Sequence, residues 1–295
     1  MRHKIIVAAP SGKTRDRLVE LFGETSDVIA LNREEIIDSG NVYIEDQRAF
    51  WGEVDLLEAH AAVVLDSGFM WPMPQLLPTE DDWERYRENF DDYLRAERES
   101  MSLWLSLLEI LNREIPLCFN PQTAFANEAL KPAAFEQLAA NGISVAPFLV
   151  TNDPSAAQKF AETHGDPLRM VSLVPSHSSH WLGLDELHRW DFEKDPLMLQ
   201  ACESKSLEEI FVAADKVHAV NSNKRISKEL EGVALSCAQA LEIEFGCLTF
   251  QITAVRNSFV DFSASPRLDN LDDIQCREVF SSLWRAIERS KGGAT

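Results

Sequence analysis

The sequence has no C-x-x-C pair, no G-x-S-x-G, no G-x-G-x-x-G after any strand, and no apolar run near the roughly 18 residues of a membrane span. Those absences remove a thiol metal knuckle, a hydrolase nucleophile elbow, a nicotinamide enzyme and a spanning helix. Glycine and proline are modest at 12 and 13 of 295 residues, which excludes collagen-like and low-complexity classes. Cysteine is sparse and odd in number, at 118, 202, 237, 247 and 276, and reads as reduced, mostly buried thiols. Cations are scarce too. With 48 acidic against 28 basic residues the net charge is −20, which repels a phosphate backbone and excludes general nucleic-acid binding. The same field steers in a basic partner, and an anionic ligand needs a local basic pocket. The opening MRHKIIVAAPSG has too short an apolar stretch for a signal peptide, so the expected location is cytoplasmic.

What is present is enough apolar residue, 45%, for a large buried core. The pattern predicts a strand over 3–9, a helix through Leu18, Leu21 and Phe22, strands at 28–31 and 42–44, and a buried strand over 61–65. This is the opening of an open α/β sheet. Residues 68–99 differ, with three prolines in GFMWPMPQLLP and nine acids in TEDDWERYRENFDDYLRAERE. Thr79 and Asp82 cap a helix expected from about residue 80, whose stripe Trp83, Tyr86, Phe90 and Tyr93 reads as packing. A further helix is expected over 99–111. Next come the stretch 115–119 and Asn120-Pro121, a single helix running to 140 and ending at Asn141-Gly142, a strand over 144–149, a helix over 154–164 and a strand over 168–174. Residues 175–194 read as irregular. Strands over 197–202 and 211–220 (the latter turning at 214–216), a helix over 227–241, a hairpin of 247–254 with 258–263, and a closing helix over 271–289 complete the chain.

Two motifs read as ordinary structure. Pro10-Ser11-Gly12-Lys13-Thr14 is like a phosphate loop, but Val7 stands where that loop needs glycine, and Pro10 has no amide to donate. A turn into a helix is the expectation. His177, His180 and His188 share a polar segment with Asp185 and Glu186, a spacing that could hold zinc but is more often solvated.

The informative stretch is FNPQTAFANEALKPAAFEQLAANGISVAPFLVTND, with Asn120-Pro121, Lys131, Leu138, Gly142-Ile143, Pro147 and Thr151 in order. LMLQACES, FVAADKVHAV and LEIEFGCLTFQITAVRNSFVDFSASPRL follow. This order resembles the ATP-grasp superfamily of carboxylate–amine ligases, nearest to the peptide-modifying ligases of the microviridin type. The resemblance implies an α/β fold: a pre-ATP-grasp α/β domain followed by an ATP-grasp-like pair of α+β subdomains. It places the first domain at 1–118 with an acidic helical insertion at 68–112, a small subdomain at 119–203 and a C-terminal one at 204–295. It implies ATP and magnesium as cofactors. Lys131, Arg169, Gln200, Cys202 and Glu203 would bind nucleotide, and Asp261, Thr249 and Ser263 the metal; no residue receives a catalytic role.

The family's catalytic set is depleted. No lysine lies between Lys159 and Lys194, so Arg169 stands in for the second phosphate lysine. The strand arginine falls on Glu209, a reversal of charge; the first metal aspartate falls on Thr249, or on Gln251 if the register slips by two; the Glu-x-Asn pair falls on Asp261 and Ser263. Thr249, Gln251 and Thr253 alternate with Leu248, Phe250 and Ile252, so one hairpin face is polar. Three readings stay open: an active ligase joining an amine to a carboxylate on a peptide or small acid through an acylphosphate; a degenerate pseudoenzyme binding or regulating an active ligase; and an unrelated acidic α/β protein. The expected partners are a peptide or small carboxylate substrate, a protein partner and a second copy of the chain, with no nucleic acid and no membrane.

Overall fold

The computed structural model describes residues 2–33, 35, 42–66, 90–165, 168–173, 179–192, 196–203, 206–220, 226–253 and 256–292. The chain divides into two compact units, one of Met1–Phe125 with Arg267–Thr295 and one of Ala126–Pro266.

In the first unit, β1 (His3–Ala8) is followed by α1 (Lys13–Gly23) and β2 (Ser26–Leu31). β3 (Val42–Glu45), β4 (Arg48–Trp51) and β5 (Val54–Asp55) form a small antiparallel sheet. β6 (Ala61–Val64), α2 (Phe90–Glu114) and β7 (Cys118–Phe119) follow. The main sheet has the order β2-β1-β6-β7, all parallel. Its strands are covered on both faces, which is why IIVA in β1 and AAVV in β6 are continuous apolar runs, every residue buried. The turn at 10–14 starts α1 and is tied internally, Asn32 Nδ2 donating to Ser11 Oγ at 2.6 Å and Thr14 Oγ1 accepting from Leu268 N at 3.2 Å.

Around the acidic insertion, the helix onset near residue 80, Trp83 and Tyr86 lie outside the described residues, as do the side chains of Phe90 and Tyr93. The described helix runs unbroken over 90–114, with no new start at 99, because no glycine or proline occurs in that span. Trp104, Leu107, Leu108 and Leu111 form its buried stripe.

The second unit takes up the chain within α3 (Gln122–Ala129) and continues with α4 (Lys131–Ala140). The single helix expected here is two. Pro132 lacks an N–H and its ring excludes the carbonyl four residues back, so helical geometry stops at Leu130 (φ −112°, ψ 41°). α4 ends as expected, Gly142 taking φ 79° and Ile143 N donating to Leu138 O at 3.0 Å.

β8 (Phe148–Thr151), α5 (Pro154–His164), β9 (Leu168–Val171), β10 (Ser179–Leu182), the short α6 (Leu184–Leu187) and β11 (Leu197–Gln200) build a sheet of order β10-β9-β11-β8. The segment read as irregular thus carries a strand and a helical turn, held by Leu182, Leu187 and Phe192 in one cluster with Ala157, Leu168 and Leu199. The strand expected at 144–149 is split. Pro147 cannot donate, so Ser144–Ala146 leans on residue 259 while β8 starts beyond it.

β12 (Leu207–Ala213), β13 (Lys216–Ala219), α7 (Lys228–Ala240), β14 (Phe245–Ile252) and β15 (Asn257–Ser263) form the second sheet, order β13-β12-β14-β15, antiparallel throughout. α8 (Asp273–Gly292) closes the first unit. Among the described residues no helix is long and apolar enough to cross a membrane. None of the five cysteines, all among the described residues, is in a disulfide, and Cys237 and Cys276 are buried.

Candidate functional site

The site begins with a fault in a ladder. Along β14 and β15, Thr249 opposes Asp261 but Phe250 opposes Phe259, so Val260 is an extra residue. A bulge of this kind re-aims its neighbours and leaves a carbonyl outside the ladder. That carbonyl is used: Gln200 Nε2 donates to Val260 O at 2.6 Å.

From there the bonds run in one chain. Gln200 and Arg169 are directly opposed on β11 and β9, so their side chains share a face. Arg169 Nη1 donates to Gln200 Oε1 at 2.5 Å, and its Nη2 donates to Asp261 Oδ2 at 2.8 Å. Lys131 Nζ meets the other oxygen, Asp261 Oδ1, at 2.9 Å, and Phe262 N donates to that same oxygen at 2.9 Å. Lys131 is 1% exposed and Arg169 5%, unusual burial for either type. Pro132 explains the lysine's place: the helix break makes residue 131 the first of a new helix instead of a mid-helix surface position.

Lys131, Arg169, Gln200 and Asp261 are therefore brought into one connected network. Thr249 is half-buried and sits in a cross-strand row between Glu209 and Asp261. Cys202 is half-buried, its thiol pushed up by burial and partly drawn back by the Arg169 charge. Glu203 stands apart, exposed and paired with Arg256 at 3.7 Å. Ser263 is buried, and its Oγ accepts from Ser265 N at 3.1 Å.

One acid escaped the sequence reading. Glu128, near the end of α3, is 5% exposed and its Oε2 accepts from Ala264 N at 3.0 Å, with Ser263 bonded to it as well. Nothing in its local sequence marks it, since an acid on a short helix is normally solvated. Burial pushes its carboxyl above the usual range, and Lys131 only partly offsets this. For Asp261 burial also pushes upward, but Lys131 and Arg169 together overcome it and hold the carboxyl below its ordinary value. Gln251, the alternative metal position, is buried, with Nε2 lacking a partner among the described residues.

The Glu128 shift has a sign that can be tested. A carboxyl raised in the fold favours the protonated form, so its contribution is full below the ordinary glutamate value near 4.3 and is lost as pH rises through the folded value. Glu128→Gln keeps an oxygen for Ala264 N and removes the titration. Urea unfolding of the variant should show a flatter loss of stability above about pH 4.3 than the parent chain.

Magnesium does not fit these residues. It takes near-octahedral oxygens at about 2.0–2.1 Å, anchored by one or two carboxylates. Both oxygens of Asp261 already face N–H donors, Ser263 is bonded within its own turn, and Thr249 is neutral. Among the described residues no group of three His, Cys, Asp or Glu could hold a metal. His180 and His188 are exposed, and His177 lies outside the described residues. Two buried cations, Lys131 and Arg169, converge on the one carboxylate of Asp261.

No protein-family model and no curated relative matches the chain. Among solved structures it is similar to the ATP-grasp ligase PsnB, crystallised with minimal precursor, magnesium and ADP, with a TM-score of 0.79 at 17% identity over 97% of this chain and 98% of that one. The fold is that of ATP-grasp ligases. A RiPP-associated ATP-grasp ligase of Chryseobacterium gregarium, in complex with ADP and a leader and core peptide, follows with a TM-score of 0.72 at 13% identity, covering 97% of each chain. The macrocyclase MdnC of Microcystis aeruginosa, bound with precursor peptide MdnA, has a TM-score of 0.69 at 11% identity over 94% of this chain and 98% of that one. The ATP-grasp fold holds over almost the whole length, in agreement with the order of elements read from residue 119 onward.

Proposed function

We propose that this protein is an ATP-dependent ligase that joins an amine to a carboxylate on a peptide or small acid, with ATP held in the second unit. The observation that carries the reading is the buried pair Lys131 and Arg169 converging on Asp261 within an ATP-grasp fold. In this chemistry a carboxylate oxygen attacks the γ-phosphorus, and the bond to the β,γ-bridging oxygen breaks with its electrons leaving on ADP. The amine nitrogen then attacks the acyl carbon and phosphate departs, the amine's proton passing to solvent base. Lys131 and Arg169 supply preorganised positive charge where negative charge spreads over the phosphoryl oxygens. Gln200 holds the guanidinium in place, and the backbone after it, through Cys202 and Glu203, offers adenine its edge. A peptide substrate with a basic segment suits the net charge of −20, which raises its encounter rate.

A second reading, a nucleotide-binding module without turnover, is favoured by one observation: the metal positions hold Thr249 and a Lys- and Arg-bound Asp261. One experiment addresses both. Thermal stability should rise with ATP, because ATP binds the folded state alone. Lys131→Ala should lose about 10–100-fold in ATP affinity, the worth of one charge-assisted bond. ADP release with a carboxylate and an amine present supports the ligase; binding without release supports the module; no binding overturns both.

A further inference from the structure

We infer that the second unit binds the polyphosphate of its nucleotide without a divalent cation, by exchanging the Asp261 carboxylate for phosphate oxygens on Lys131 and Arg169. This rests on the nucleotide reading above and concerns what neutralises the phosphates. Three observations converge on it. Both Asp261 oxygens are engaged by cations, Lys131 at 2.9 Å and Arg169 at 2.8 Å, so this carboxylate serves as a resident counter-ion. A metal at Asp261 would have to displace an ammonium and a guanidinium and then sit beside both, two like charges with little water between. The partners a metal would need across the sheet are also missing: Thr249, directly opposite Asp261, is neutral, and no acidic cluster replaces it among the described residues.

A polyphosphate meets the reverse situation. It carries the charge that Asp261 carries, offers more oxygens, and can accept from a planar guanidinium bidentately. Gln200 anchors Arg169 by its other nitrogen, so the guanidinium keeps its place while the carboxylate leaves. The exchange breaks no covalent bond and moves no proton. Asp261 withdraws as the phosphate arrives, and the two cations change partner.

Isothermal titration with ATP and with inorganic tripolyphosphate, each in EDTA and in excess magnesium, tests this. Both probes should bind in EDTA at least as tightly as in magnesium. Asp261→Asn removes the competing charge and should strengthen tripolyphosphate binding in EDTA about tenfold, one charge-assisted contact, whereas a metal ligand lost at that position would weaken ATP binding in magnesium. Should Asp261→Asn fail to fold, Thr249→Asp separates the two cases by sign. A second carboxylate in that row weakens metal-free tripolyphosphate binding under exchange and strengthens magnesium-dependent ATP binding if a metal sits there. ATP binding that requires magnesium overturns the inference and leaves the nucleotide reading intact. Absence of binding by either probe in either condition overturns both.

Discussion

Asp261→Ala should lose about 3–5 kcal/mol of stability in urea unfolding, the cost of stranding buried charge. The variant takes from Arg169 its only ion-pair partner among the described residues and leaves Lys131 only the neighbouring Glu128, whose own carboxyl burial pushes upward, with both cations almost fully shielded from water. Lys131→Met should behave very differently. Asp261 keeps the Arg169 contact at 2.8 Å, the buried ammonium becomes an apolar chain of similar length, and the change should cost about 1 kcal/mol or less. The asymmetry is the diagnostic. If both variants cost the same, the carboxylate is not the shared counter-ion. Acidity adds a second handle. Because the folded Asp261 value is lowered, its contribution is present above the ordinary aspartate value near 3.9 and is lost as pH falls through the folded value. Asp261→Ala should therefore be less sensitive than the parent chain to acid below about pH 4.

Much of the fold was legible because it is written in short-range signals: the continuous apolar runs of β1 and β6, the Asn141-Gly142 stop of α4, and the alternation of Leu248 and Phe250 with polar neighbours in β14, which fails at the end of that strand, where Gln251 is buried and Ile252 exposed. Lys131, Gln200 and Asp261 were legible by their order along a fold pattern, and Arg169 as the one long cation in a strand where a second lysine is missing. The illegible parts arise from distance and from single proline effects. Glu128 is buried with Ala264, 136 residues on, donating to its carboxyl, a contact its own helix does not announce. The extra residue at Val260 leaves no mark in the sequence, because a bulge is a mismatch between two strands and neither strand alone contains it. The same limit hid the surroundings of Asp261. Its sequence position suggests a metal ligand, and the ion pairs it makes come from Lys131 on α4 and Arg169 on β9, both far away along the chain.

Phe135→Ala should match the loss at Asp261 in size, about 3–5 kcal/mol, by another mechanism. Phe135 lies one helical turn beyond Lys131 on α4 and is fully buried. Its ring meets Phe148 edge-on at 5.4 Å and Phe259 edge-on at 5.4 Å, with Phe262 tilted at 6.4 Å. Phe259 in turn meets Phe250 at 5.8 Å. One side chain thus fastens the helix that carries Lys131 to the strand that carries Asp261. Truncation removes apolar surface and opens a cavity that three rings on two separate strands cannot close together. Phe135→Leu fills much of the space and should lose clearly less, because what remains is a change of shape, without a ring-sized void. The expected pattern extends to the site. With α4 loosened from β15, Lys131 no longer holds its 2.9 Å approach to Asp261, so amide exchange in Lys131–Ala140 and in Asn257–Ser263 should rise together. Exchange that rises in the helix alone would show that α4 is anchored elsewhere and that Phe135 is not the fastening.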